Sequence, residues 1–401
     1  MPHAKRTVAK NPYRPGVGLP PAHLAGRDPQ MRRFQAMLSG APEIPANLRL
    51  TGLRGVGKTV LLRRFDDIAN EAEWATVFVE LEPRHNDEDR LTRLLDGVLH
   101  EVVARHSASG RIRQVLGGAI EAARQTAKVT FDDFEWSLGG EIATRTRAVA
   151  EAMAHAVEIV QRSGKEGVVL LFDEAQVLVD DKTRDGSHPL SMLLAAVSAL
   201  QRQGIAVCLV LCGLPNLTVN LLEARTYSER MFRGDEVASL GTSEARQAFL
   251  VPLDGTGRAA DDELVERVLT DVEGYPYFIQ LWGAELWDAS TFAGVETFSV
   301  TLLDATNSEI YRRLDLDFYS PRVDALRPAE QDLLSTAAGA VYPPLLAGQL
   351  ADLSPKKASN VNVLLGRLVR ANVLYRQGKG RYYYTAPGFD AYLRRRAERL
   401  A

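Results

Sequence analysis

Cysteine is almost absent from these 401 residues. There are two, Cys208 and Cys212, and both lie inside the apolar run "IAVCLVLCG". Thiols in such a run read as small core hydrophobes, which excludes a disulfide framework or a cysteine metal cluster and fits a reducing, cytoplasmic setting. Long hydrophobic runs are missing too. The longest, Ile205 to Leu214, falls well short of the roughly 20 residues a membrane span needs, so no membrane partner is expected. The first residues, "MPHAKRTVAKNPYRPG", lack the apolar centre of a signal peptide. No internal repeat is visible, and a net charge of −3 shows no overall bias towards nucleic acid. That average conceals an asymmetry: Pro321 to Ala401 holds 13 Lys+Arg against 6 Asp+Glu, a net of +7, leaving −10 on the rest. A basic end on an acidic body suggests a C-terminal segment that meets something anionic.

What is present is a soluble-protein composition, 46% hydrophobic and 25% charged, in a chain long enough for two or three domains. Residues 1–23 are rich in proline and basic side chains and read as an extended arm or a disordered tail. "LAGRDPQMRRFQAML" reads as a turn and a helix capped by Asp28 with Pro29 at its first position. "NLRLTG" and "WATVFVELE" read as strands around a helix from Lys58 to about Ala69. A long, mostly helical piece, residues 86–167, follows. Inside it "KVTFDDFEWSL" alternates as a hairpin or edge strand would. "GVVLLFDEAQ" and "IAVCLVLCG" are continuous apolar runs of the kind buried on both faces of a parallel sheet, joined by the helix "PLSMLLAAVSALQRQG". This alternation predicts an α/β fold with a parallel sheet. From Ser243 to about Leu316 the pattern is helical throughout.

One stretch carries specific chemistry. "GLRGVGKT" has Gly52, Gly57, Lys58 and Thr59 at the places of G-x-x-x-x-G-K-S/T, with Gly55, Val56 and Val60 completing the loop and helix start. Glycines let backbone N–H groups turn onto phosphate oxygens, and the following helix adds its positive end. In this pattern Lys58 reaches the β- and γ-phosphates of ATP and the Thr59 hydroxyl holds Mg²⁺. "VVLLFDEAQ" supplies the partner. Asp173, at a buried strand end, would bind Mg²⁺, and Glu174 would orient or deprotonate the attacking water.

With these motifs the chain resembles the AAA+ P-loop ATPases, in particular the origin-recognition-complex-like and STAND-like groups, from about Leu24 to the C-terminus. The resemblance implies several further roles. "LAGRD" is similar to the family's entry motif and would put Gly26 and Arg27 beside the adenine. "EGYPYFIQ" resembles the G-x-P motif of the lid, with Gly274 and Pro276 packing on the adenine or ribose. Arg230 in "SERMF", with Arg233 next, matches an arginine that acts on a neighbour's nucleotide, or is a solvated surface arginine. Two departures stand out. The strand tip where relatives carry a polar sensor is Cys212-Gly213, with Asn216 a candidate substitute, and no second-sensor arginine is evident in the lid. These leave room for slow hydrolysis.

The C-terminal segment reads as a helix at "LRPAEQDLLSTAAGA", a short helix in "PPLLAGQLADL", and a third helix capped by Ser354 with Pro355 first. Val361, Leu364, Leu365 and Leu368 are its buried stripe, which leaves Lys356, Lys357 and Asn360 exposed at its N-terminal end. "NVLYRQGKGRYYYTAP" reads as two strands, with Tyr382–Tyr384 serving packing. The arrangement resembles a winged helix, with Arg376, Lys379 and Arg381 on the wing facing phosphates of duplex DNA and Arg394, Arg395, Arg396 and Arg399 adding charge.

The expected organisation is therefore an arm (1–23), an AAA+ ATPase core (24–242), a helical lid (243–320) and a winged helix (321–401). The expected function is Mg²⁺-dependent ATP hydrolysis that controls DNA binding or assembly, with a homo-oligomer in the ATP state. The alternative is an ATP-dependent switch whose winged helix meets an unidentified protein partner. A remodelling chaperone is disfavoured, since no aromatic–hydrophobic pore-loop pair is evident.

Overall fold

The computed structural model describes residues 10–16, 18–44, 47–107, 140–181, 183, 186–225, 228–340, 343–376 and 379–400. The alternating segment at 128–138 lies outside the described residues. The chain divides into two compact units. One comprises Arg27–Gly52 and Gly57–Ala238. The other comprises Met1–Gly26, Leu53–Val56 and Ser239–Ala401.

The first unit is a five-stranded, all-parallel sheet flanked by helices. Its strands are β1 (Asn47–Thr51), β2 (Ala75–Glu80), β3 (Val168–Asp173), β4 (Val207–Gly213) and β5 (Phe232–Glu236), in the order β2-β3-β4-β1-β5. Every residue of β3 and β4 is buried, as the two apolar runs require of strands covered on both faces. The helices are α1 (Asp28–Gly40), α2 (Lys58–Glu71), α3 (Glu88–His106), α4 (Gly140–Arg162), α5 (Pro189–Arg202), α6 (Asn216–Ala224) and the single turn α7 (Ser228–Met231). Phe34 of α1 stacks on Phe65 of α2 at 4.2 Å between centroids.

At the start of β1 the sheet is tied to α5 by buried polar groups. Asn47 and Gln201 exchange side-chain hydrogen bonds (3.1 and 2.9 Å). The Asn47 Oδ1 also accepts from Leu209 N–H, and the Gln201 Nε2 donates to the Val207 carbonyl, both at 2.9 Å. Buried polar groups are tolerable only when so paired. α3 and α4 pack together, and the buried Glu88 accepts from Arg145 at 3.0 Å and from the His188 N–H at 2.5 Å.

β5 is an element the sequence reading did not place; Arg230 lies in α7 and Arg233 on β5. The strand alternates two buried residues, Phe232 and Asp235, with exposed ones. An edge strand needs no continuous apolar run, so hydropathy does not announce it. α1 also begins at Asp28 itself, one residue ahead of the expected Pro29, with Arg27 in the cap position.

The second unit contains α8 (Thr242–Leu250), α9 (Asp262–Val272), α10 (Pro276–Ala293), α11 (Val300–Arg313), a π-helical turn (Leu314–Tyr319) and α12 (Ser320–Asp324). The two-residue strands β6 (Ala259–Ala260) and β7 (Thr297–Phe298) pair in parallel, which the helical pattern of this region did not suggest. Residues 10–14 of the arm are packed within this unit. Tyr13 is buried, its hydroxyl donates to the Phe249 carbonyl at 2.5 Å, and the Asn11 side chain donates to the Ala284 carbonyl.

The unit continues with α13 (Pro328–Ala340), β8 (Leu345–Leu346), α14 (Ala347–Leu353), α15 (Ala358–Arg370), β9 (Leu374–Arg376), β10 (Arg381–Tyr384) and α16 (Phe389–Leu400). β8, β10 and β9 form an antiparallel sheet in that order. The predicted stripe Val361, Leu364, Leu365 and Leu368 is buried. α15 begins three residues later than expected, because the Ser354 hydroxyl accepts from Lys356 N–H in a local turn instead of capping a helix. Tyr382 and Tyr384 are buried, and Tyr383 stacks on Tyr375. Among the described residues, no helix is long and apolar enough to cross a membrane.

Candidate functional site

β1 delivers the chain into the glycine loop, which opens into α2. Gly55 (φ +79°) and Gly57 (φ +90°) both occupy the left-handed region that other residues avoid, as a backbone turned towards a ligand requires. A Cβ added at Gly57 would meet nothing within 4 Å, so open space adjoins the loop there. No side chain caps the N-terminus of α2, which leaves the helix's positive end to an anion. Lys58, the first residue of α2, is buried at 6% exposure. Taking a lysine out of water is costly without a compensating negative group.

β3 carries Asp173 to the same place. The sheet order puts β4 between β3 and β1, so the carboxylate must cross one strand tip to reach α2. It does: the Thr59 hydroxyl donates to Asp173 Oδ2 at 2.5 Å. The other oxygen, Oδ1, accepts the Glu174 N–H at 2.8 Å, and Asp173 is 2% exposed. A hydroxyl and a carboxylate in contact beside a buried lysine suit a hard divalent cation whose remaining ligands are phosphate and water. No cluster of three or more acidic, histidine or cysteine side chains able to hold a metal unaided occurs among the described residues. The donor set therefore fits Mg²⁺ carried in with a nucleotide.

Glu174 follows with φ 54°, a left-handed conformation outside the glycines, at the turn into Ala175–Val177. Such strain persists where surrounding structure holds it. The strand tip between is Cys212-Gly213. The Cys212 thiol is fully buried, and burial, followed by the nearby Asp173 carboxylate, pushes it well above its ordinary range, so it stays a neutral thiol. The candidate substitute, Asn216, is exposed at the start of α6. The residue whose amide reaches the tip is Gln176, which the sequence reading did not single out.

Other expected positions fall as follows. Arg27 is buried, not a surface arginine, and donates to the Ala238 carbonyl at 2.7 Å. In the second unit, Gly26 (φ +67°) and Gly274 (φ +65°) both abut Leu240. Added Cβ atoms would lie 3.0 Å from its Cδ2 and 2.1 Å from its carbonyl oxygen respectively. Pro276 opens α10. The Tyr275 hydroxyl, between those two motif residues, donates to the Arg54 carbonyl of the glycine loop. Nearby, Arg322 lies 3.9 Å over the Phe318 ring, and burial lowers its pKa. Arg230 and Arg233 are exposed, the latter on β5.

Lys357, Asn360, Arg376, Lys379 and Arg381 are exposed and Lys356 half-buried; Gly378 lies outside the described residues. The tail arginines are not free charge. Arg395 and Arg399 both pair with the buried Asp315, Arg396 with Asp324 and Arg394 with Asp390. Paired arginines of this kind dock α16 and add little to a surface field.

Comparison with known proteins agrees with this geometry. Residues 23–210 match the AAA ATPase domain family, and residues 316–393 match a domain of unknown function. Among curated proteins no sequence matches the chain. Of solved structures, the chain is similar to a Walker-type ATPase of Pyrococcus abyssi at 14% identity (TM-score 0.56, covering 92% of this chain and 96% of that one). It is also similar to the ORC2 protein of Aeropyrum pernix, in its ADPNP–ADP complexes, at 13% identity (TM-score 0.53, covering 96% and 98%). At such identities the likeness speaks for the fold. Over residues 23–210 the match to the AAA ATPase domain family, the parallel sheet of a P-loop NTPase fold and the glycine loop agree with one another.

Proposed function

We propose that the chain binds ATP with Mg²⁺, hydrolyses it, and uses the nucleotide state to control DNA binding or assembly. The observation that carries this reading is the 2.5 Å contact of Thr59 with Asp173 beside the buried Lys58. The residues fill complementary roles. Backbone N–H groups from Gly52 to Val60 cradle the phosphates, and Lys58 neutralises charge that grows on the transferred phosphoryl group. Thr59 and Asp173 would hold Mg²⁺, which would offset the charge of the phosphates. Glu174 takes a proton from, or orients, the attacking water. Gly26, Arg27, Gly274 and Pro276 are assigned to the base, and Arg230 to a neighbour's nucleotide in a homo-oligomer. The core spans 24–242, the lid 243–320 and a winged helix 321–401. The order of helices and antiparallel strands in 328–400 supports the last assignment.

Exposed Lys357, Asn360, Arg376, Lys379 and Arg381, with Lys356 beside them, favour duplex DNA as the partner, since phosphate neutralisation dominates such binding. One observation favours the second reading, a nucleotide switch that meets a protein. The four tail arginines are spent on internal ion pairs, so the basic excess available to DNA is smaller than composition suggests.

Steady-state ATP turnover with and without duplex DNA, at two salt concentrations, tests both. Salt-sensitive stimulation by DNA supports the first reading. Slow turnover indifferent to DNA supports the switch. Loss of turnover with retained ATP binding in Glu174→Gln tests the base, and wild-type turnover in that variant overturns the assignment.

A further inference from the structure

The tip of β4 offers the Cys212 thiol to Asp173 but no amide or hydroxyl side chain to Glu174, and the structure shows what takes that place. Gln176 is buried at 9% exposure, and both ends of its side-chain amide are engaged. Nε2 donates to Glu174 Oε2 at 2.6 Å, while Oε1 accepts the Leu214 N–H at 3.0 Å. Its main-chain carbonyl is held in turn by the Asn220 side chain of α6, at 3.0 Å. A glutamine held at both ends of its side-chain amide and at its main-chain carbonyl has little freedom to move, so the carboxylate it grips is held too.

Gly213 explains how the amide fits. A Cβ there would lie 2.5 Å from Gln176 Oε1 and 3.0 Å from its backbone nitrogen. Its backbone lies outside the left-handed region, so space, not conformation, requires glycine. The Gly213 carbonyl also accepts the N–H of Gly52, the first glycine of the phosphate loop, at 3.2 Å. A continuous path therefore runs from Gly52 through Gly213 and Leu214 to Gln176 and Glu174.

We propose that Gln176 is the positioning residue for Glu174 and replaces the amide or hydroxyl side chain that Cys212-Gly213 does not supply. It fixes the carboxylate and ties its place to the tip of β4 and the entry of the phosphate loop. The inference rests on Glu174 acting as the base. Gln176 touches neither substrate nor metal in this scheme; it acts through Glu174.

The test uses the full chain. Gln176→Met keeps the side-chain length but removes donor and acceptor. kcat is expected to fall about tenfold or more, the scale on which small misplacements of a catalytic group act. The dissociation constant for Mg-ATP should stay within about twofold, because Gln176 meets no nucleotide atom. Hydrogen exchange of the Leu214 amide should accelerate. Gly213→Ala, which displaces the amide without touching it chemically, should reproduce all three effects and serves if the methionine variant does not fold. Wild-type kcat in either variant, with Leu214 exchange accelerated, overturns the proposal. So does unchanged Leu214 exchange. Glu174→Gln separates the layers: if it too keeps wild-type turnover, the base assignment itself is wrong. If it abolishes turnover and Gln176→Met does not impair it, only the positioning role fails.

Discussion

Lys58→Ala tests the nucleotide site directly, and its size can be worked from the structure. Lys58 is 6% exposed at the first position of an uncapped helix N-terminus. A charge-assisted hydrogen bond made there to a phosphate contributes about 1.5–3 kcal/mol, with little water to compete. Removing it should raise the ATP dissociation constant by about 100-fold, equivalent to about 2.7 kcal/mol. Ligand linkage converts that into a melting shift. At ATP about 100 times the wild-type dissociation constant, the wild-type protein gains about 2.7 kcal/mol, and the variant about 0.4 kcal/mol. With about 2–4 °C per kcal/mol for a domain of this size, Mg-ATP should raise the wild-type transition by about 5–10 °C and that of Lys58→Ala by about 1 °C. Comparing each protein with and without nucleotide cancels the variant's own change in stability. A Lys58→Ala protein that keeps the full wild-type shift would refute the assignment of Lys58 to the phosphates.

Thr59→Val removes the hydroxyl that bridges to Asp173, so ATP affinity should become equal in Mg²⁺ and in chelator, read by isothermal titration. Asn47→Ala strands Gln201 and the Leu209 N–H in the core and should cost about 2–4 kcal/mol in urea unfolding. Gly274→Ala combines a positive φ with a Cβ 2.1 Å from the Leu240 carbonyl; about 2 kcal/mol or more of stability should be lost, whereas an unchanged unfolding midpoint would contradict the backbone conformation. Lys357→Ala and Lys379→Ala should each weaken duplex binding uniformly across sequences and reduce the salt slope by about one, measured by fluorescence anisotropy.

Much of this was legible in one dimension because the signals are local. The glycine spacing needs only a tight turn between a strand and a helix. β3 and β4 declare themselves as unbroken apolar runs, and the stripe of α15 repeats with helical period. Asp173 and Glu174 stand out because carboxylates end a run otherwise free of charge. Local signals also misled where a neighbour intervened. Ser354 was expected to cap a helix and instead closes a turn on Lys356. The basic tail was expected to be open charge, yet Asp315 and Asp324, more than 70 positions away, neutralise three of its arginines.

Sequence alone thus determined which strands had to be buried and which residues come into question for phosphate, metal and proton chemistry. Only the tertiary structure decided which of those groups meet. Inserting β4 between β1 and β3 sets Cys212 against Asp173, and the space that Gly213 leaves admits Gln176. Neither β5, half exposed at the sheet edge, nor the Gln176–Leu214 bond leaves a trace in periodicity. Edge pairing and a side-chain-to-backbone bond 38 positions apart depend on which surfaces packing brings together, and hydropathy read along the chain carries no record of that.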